Sequence, residues 1–152
     1  KITTRELITH PGGVCVVPIN ENGEIYLVKQ FRYPFSSVLL EIPAGKLEKG
    51  EDVKVCGMRE LKEEIGAEAE YFEYLGCLYP TVAYDTEIIH MYLAKGLSFG
   101  EQSLDAGEFI DVVKMPFEQA VEMVMKNEIP DAKTQVAILK AKLLLQSGAE
   151  LV

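Results

Sequence analysis

Residues 57–66 read GMRELKEEIG and place Glu60, Glu63 and Glu64 in the last two turns of a helix spanning 52–65. The helix is closed by Gly66 at the position after its last turn. Acids are disfavoured there, because the carbonyl end of a helix carries partial negative charge. Glu60 and Glu64 are also a like-charged i, i+4 pair, which costs a few tenths of a kcal/mol. At about 100° per residue, Val53, Gly57, Leu61 and Ile65 form one apolar stripe, and Glu60 and Glu64 border it. Such a helix must lie against a core with its carboxylates at the rim. A solvated acidic face is the ordinary explanation of a charge run. Here desolvation at the stripe's edge raises the repulsion. A divalent cation would relieve it, since hard cations take carboxylate oxygens and keep waters and phosphates as further ligands. Gly57 costs about 1 kcal/mol against Ala in mid-helix, so close packing against another backbone is expected there.

The rest of the chain is read as a mixture of strands and helices. Val14–Ile19 is almost wholly apolar, Asn22-Gly23 suits a type I′ turn, and residues 24–30 alternate, which together predict a β-hairpin. Further strands are expected over 37–42, 71–79, 87–94 and 109–114, and helices over 116–127 and 131–146. Pro43-Ala44-Gly45 is read as the stop of the third strand. No regular strand–helix alternation is present, so a mixed sheet flanked by helices is expected rather than a dinucleotide-binding sheet.

With 152 residues, no internal repeat and no linker, the chain is expected to form one domain over 1–152. A net charge of −9 argues against non-specific affinity for nucleic acid or anionic membrane. It does not exclude a polyanionic small ligand held through a metal. Cys15, Cys56 and Cys77 are odd in number, lack CxxC spacing and lie in apolar stretches. They predict no disulfide framework or zinc site, and a cytoplasmic setting. No apolar run approaches a membrane span and no signal peptide is visible.

The spacing of the acidic helix is specific. Gly45, five residues, Glu51, seven residues, Arg59-Glu60-Leu61, one residue, Glu63-Glu64, one residue and Gly66 resembles the signature of the Nudix hydrolases. Only Ala67 departs from it, standing where the family prefers a larger aliphatic residue. Val28–Pro34, Leu40–Glu48, Tyr79-Pro80, Asp85–His90, Glu108–Ile110 and Asp131–Thr134 extend the likeness to the ADP-ribose pyrophosphatase branch.

The resemblance implies an α/β/α sandwich of the α+β type with a mixed sheet. It also implies Mg²⁺-dependent hydrolysis, with Mn²⁺ as a possible substitute, of a nucleoside diphosphate substrate. For ADP-ribose the products would be AMP and ribose 5-phosphate. By the same resemblance Glu60, Glu64 and the Ala44 carbonyl would bind metal. Glu63 would either reach metal through water or pair with Arg59, whose other candidate partner is Glu51. Gly45, Glu51, Arg59 and Gly66 would shape and orient the site. Glu108 would be the general base, Arg32 and Glu41 would line the substrate site, and Arg5 would reach a partner's substrate in a homodimer. N-terminal strands that exchange in such dimers would be only partly included in this sequence.

Overall fold

Residues 13–18 are buried at every position, so this segment must have strands on both sides and cover on both faces. The computed structural model, which describes residues 2–105, 107 and 109–148, shows it there. This strand, β1 (Gly13–Pro18), lies between β4 (Ala44–Lys46), antiparallel, and β6 (Ile89–Phe99), parallel, with Val14 opposite His90 and Val17 opposite Leu93. An outer strand, β5 (Ala67–Leu78), pairs antiparallel with β6, giving a mixed sheet in the order β4-β1-β6-β5. The second sheet is antiparallel, β3 (Ser37–Glu41), β2 (Glu24–Arg32), β7 (Ile110–Pro116).

The expected hairpin is therefore not formed. Strands β1 and β2 enter different sheets, and the chain between them forms only an isolated Ile19–Ile25 bridge. A strand apolar on both faces needs interior neighbours, which one amphipathic partner does not supply. Nor is the turn of type I′, which needs positive φ at both central residues. Gly23 has φ +71° but Asn22 is not left-handed. The turn instead starts at Asn20, whose carbonyl accepts from Gly23 N–H at 3.0 Å and whose Oδ1 accepts from the N–H groups of Asn22 and Glu24. The third strand does stop before Pro43, β3 ending at Glu41, and Ala44–Lys46 then forms an unexpected short strand, β4, in the other sheet.

The helices are α1 (Val53–Ile65), α2 (Phe117–Met125) and α3 (Ala132–Ser147). Alternate residues of β1 feed two cores. Cys15 and Val17 join Phe117, Ala120, Ile138 and Ala141 of α2 and α3, while Val14 and Val16 join Cys56, Leu61 and Ile65 of α1. This is the expected α/β/α layering. Gly57 is in the α1 layer, where a Cβ would fall 2.9 Å from Val14 Cγ1 and 3.0 Å from Phe72 Cζ. The close approach is thus to side chains of the sheet, not to another backbone. All three cysteines are free, and Cys77 is exposed rather than set among apolar neighbours. Among the described residues no helix is long and apolar enough to cross a membrane.

Candidate active site

Helix α1 is fixed at both ends by its own sequence. Asp52 caps the start, accepting from Lys54 N–H at 2.9 Å and Val55 N–H at 3.2 Å. Gly66 ends it in the left-handed conformation, φ +67°. Between these ends the acidic rim meets β4. Ala44 N–H donates to Glu64 Oε2 at 3.0 Å, and Glu64 is 2% exposed. A Cβ on Gly45 would lie 1.9 Å from the Glu60 carboxyl carbon, so only glycine lets that carboxylate rest on the strand.

Arg59 is the hub of this rim. Its Nε and Nη2 donate to the two oxygens of Glu51 at 2.9 and 3.1 Å, and its Nη1 donates to Glu60 Oε1 at 2.7 Å and Glu63 Oε2 at 2.8 Å. The two partners left as alternatives by sequence are thus both used, and Glu60 is added. Hydrogen bonds from Arg59 and from Glu48 N–H hold the Glu51 carboxyl down at about 2. The Glu51 hydrogen bond, with the Glu60 charge, holds the guanidinium above its ordinary value despite desolvation. Three glutamates, at 51, 60 and 63, thus share one arginine.

A second network stands across the same cleft. Arg32 donates from Nε and Nη2 to the two oxygens of Glu41 at 2.7 and 2.6 Å. Lys133 Nζ donates to Glu41 Oε2, and to Asp131 Oδ2 at 3.0 Å. Asp131 also caps α3, accepting from the N–H and hydroxyl of Thr134, whose own hydroxyl accepts from Ile42 N–H. Burial opposes charge on Glu41, but the Arg32 hydrogen bond and the Lys133 charge outweigh it, and the carboxyl titrates below its usual range. Lys133 is raised in the same way, its desolvation overcome by Asp131 and Glu41.

The cleft has a volume of about 660 Å³, and its walls include Arg32, Ala44, Gly45, Arg59, Glu60, Asp105 and Lys133. Of the residues singled out by sequence, Arg32, Ala44, Gly45, Arg59 and Glu60 come together there. Glu41 does not line it; 1% exposed, it lies beneath and holds the two cations that do. Arg5 is exposed, its guanidinium on the Thr4 carbonyl, and is not among the cleft's lining. Glu108 lies outside the described residues. Sequence reasoning assigned no role to Lys133. A signal was present, because a lysine in the first turn of α3 sits at the end of a helix that disfavours cations.

The donor set suits a hard divalent cation. It is all oxygen, it is acid-rich, and Gly45 keeps the Glu60 carboxylate seated against β4 where a side chain would displace it. Among the described residues no three of His, Cys, Asp and Glu come together as a complete metal cage. A cation here would complete its shell with waters and substrate phosphates, as Mg²⁺ commonly does.

Known proteins point the same way. The NUDIX domain model matches residues 9–137. A methanol dehydrogenase activator of Bacillus methanolicus is 43% identical over 136 residues, which is 88% of this chain and 74% of the relative. An ADP-ribose pyrophosphatase of Bacillus subtilis is 41% identical over 151 residues, 97% of this chain and 82% of the relative. A solved structure described as an ADP compounds hydrolase superposes with a TM-score of 0.82 at 22% identity, covering 92% of this chain and 75% of its own.

Proposed function

The chain belongs to the Nudix family, and on that premise we propose that it hydrolyses the diphosphate of ADP-ribose to AMP and ribose 5-phosphate. The observation that carries this reading is the pairing of two charge networks in one cleft. An acid-rich helix rim faces two cations anchored from below, an arrangement that suits a dianionic linkage held between metal and guanidinium. Glu60, Glu64 and the Ala44 carbonyl are the proposed ligands of a divalent cation, Mg²⁺ or Mn²⁺. When bound, the cation neutralises phosphate charge and lowers the pKa of the attacking water.

The chain's own groups do the rest. Glu41 occupies Nε and Nη2 of Arg32, which leaves Nη1 to donate to a phosphate oxygen. Lys133 has three donors and two acidic partners, so one N–H remains for the same phosphates. Arg59 and Glu51 hold the rim in register, and Glu63, bonded to Arg59, supports it. Glu108 is proposed as the base on its place in the sequence two residues before β7 and on the family resemblance. A homodimer in which Arg5 reaches the neighbouring substrate is part of the proposal. The exposed apolar side chains Phe31, Tyr33, Phe35 and Val38 around the β2–β3 turn support it.

The test is turnover of ADP-ribose with Mg²⁺, with products identified, beside other nucleotide sugars and dinucleotides. AMP and ribose 5-phosphate from the preferred substrate are expected. If ADP-ribose is among the poor substrates, the chain acts on another nucleoside diphosphate linked to a different group. The name of the B. methanolicus relative favours a second reading, a regulator of another enzyme. Absence of turnover on the whole panel would select it.

A further inference from the structure

The carbonyl end of α1 is met by a segment that neither the family signature nor the cleft walls include. Gly100 N–H donates to the Gly66 carbonyl at 2.7 Å, and Ser103 N–H donates to the Glu63 carbonyl at 3.0 Å. Between them the Gln102 carboxamide donates to the Glu64 carbonyl, with a longer 3.5 Å approach to the Ile110 carbonyl. Three donors thus converge on the last backbone carbonyls of α1 and its cap, two of them on the rim residues Glu63 and Glu64. The last carbonyls of a helix have no partner within it and bear its negative partial charge. The carboxylates of Glu60, Glu63 and Glu64 intensify that charge, so donors are worth most at this end. Gly66 makes the approach possible, since a Cβ there would fall 2.6 Å from the Gly100 carbonyl oxygen.

Gln102 also spans the base of a loop. It precedes residues 103–109, Ile110 follows them, and Asp105 lines the same cleft as Glu60. Resting on the hydrolytic reading of the cleft, we propose that Gln102 is a positioning residue for the reaction. Its carboxamide ties the segment that leads to Asp105, and Ile110 beyond it, to the carbonyl end of α1, and so sets where Asp105 stands in the cleft that Glu60 also lines.

The test uses Gln102→Glu, which keeps the shape and loses the donors, Gln102→Ala, and Gln102→Lys, which keeps a donor with reach. Hydrogen exchange on the metal-free protein is the first readout. Faster exchange across 103–110 is expected for the Glu and Ala variants, with 53–62 unchanged and the Lys variant close to wild type. In turnover, a loss of about tenfold in kcat with KM within about twofold is expected for the same two variants, with partial recovery in the Lys variant. Wild-type exchange in Gln102→Glu would overturn the anchoring, and wild-type kcat would overturn the positioning role. A lowered Tm with faster exchange throughout would show a merely structural residue and overturn it as well. If the wild-type protein fails to hydrolyse ADP-ribose, the functional reading falls, while the exchange pattern still decides the anchoring.

Discussion

The two networks that face each other across the cleft solve opposite problems. On the α1 side, Arg59 bonds three glutamates, 51, 60 and 63, none more than 8 residues away in sequence, and the excess is negative. Under the opposite wall, Arg32 and Lys133 meet Glu41 and Asp131, so charge balances, and the Lys133–Glu41 pair closes 92 residues of chain. On the proposed function, one side would receive a cation and the other what that cation neutralises. Each also puts charge at the wrong end of a helix, acids at the carbonyl end of α1 and Lys133 at the start of α3. Charge that local electrostatics disfavours is therefore a pointer to the site on both walls.

Breaking the acidic side should have the largest effect. Glu64→Gln keeps an oxygen for Ala44 N–H and removes the charge, so the fold should survive while kcat falls by about a thousandfold, on the order of 4 kcal/mol. Steady-state AMP release and near-ultraviolet dichroism check this; Mg²⁺-dependent turnover near wild type would remove Glu64 from the metal site. Breaking the balanced side should cost stability first. Glu41→Gln strips Arg32 and the nearly buried Lys133 of their shared carboxylate, and urea denaturation should show a loss of about 3 kcal/mol. A loss no larger than that of a surface pair would mean that this network is not held by Glu41.

Two smaller effects sharpen the contrast. Gly45→Ala drives a Cβ into the Glu60 carboxylate and should lower kcat/KM by about tenfold with Tm nearly kept, since Glu60 can move aside. An unfolded Gly45→Ala protein would make Gly45 a folding residue instead. The smallest effect is the pH dependence of Glu51, titrating at about 2 when folded against an ordinary 4.5. A depressed carboxyl contributes stability above its unfolded value and loses it on acidification. In metal-free protein, the stability gap between wild type and Glu51→Gln should be full above about pH 4.5 and close as pH falls to about 2. A gap that persists below that range would assign the Glu51 contribution to shape rather than charge.

Locality explains which parts were legible in the sequence. Asp52, Gly66 and the stripe of Leu61 and Ile65 act within one helix, and that helix was read to within a residue. The hairpin was misread because Val14–Ile19 and 24–30 look like partners locally, and only the apolar character of both β1 faces argues otherwise. Strands β5 and β6 run longer than expected because Ala67 pairs with Phe99, a register no local pattern encodes. Lys133 was passed over because its meaning depends on Glu41.

The sequence by itself determined the acidic helix, its two caps, the spacing of Gly45, Glu51 and the carboxylates, and with them the family. These rest on contacts a few residues long, where helix geometry leaves little freedom. Only the tertiary structure decided that β1 and β2 part into two sheets, that Glu41 lies under the cleft rather than in its wall, that Lys133 reaches the site and that Gln102 meets the carbonyl end of α1. Those outcomes depend on burial and on carbonyls and charges brought together from distant segments, and burial is a property of the packed whole.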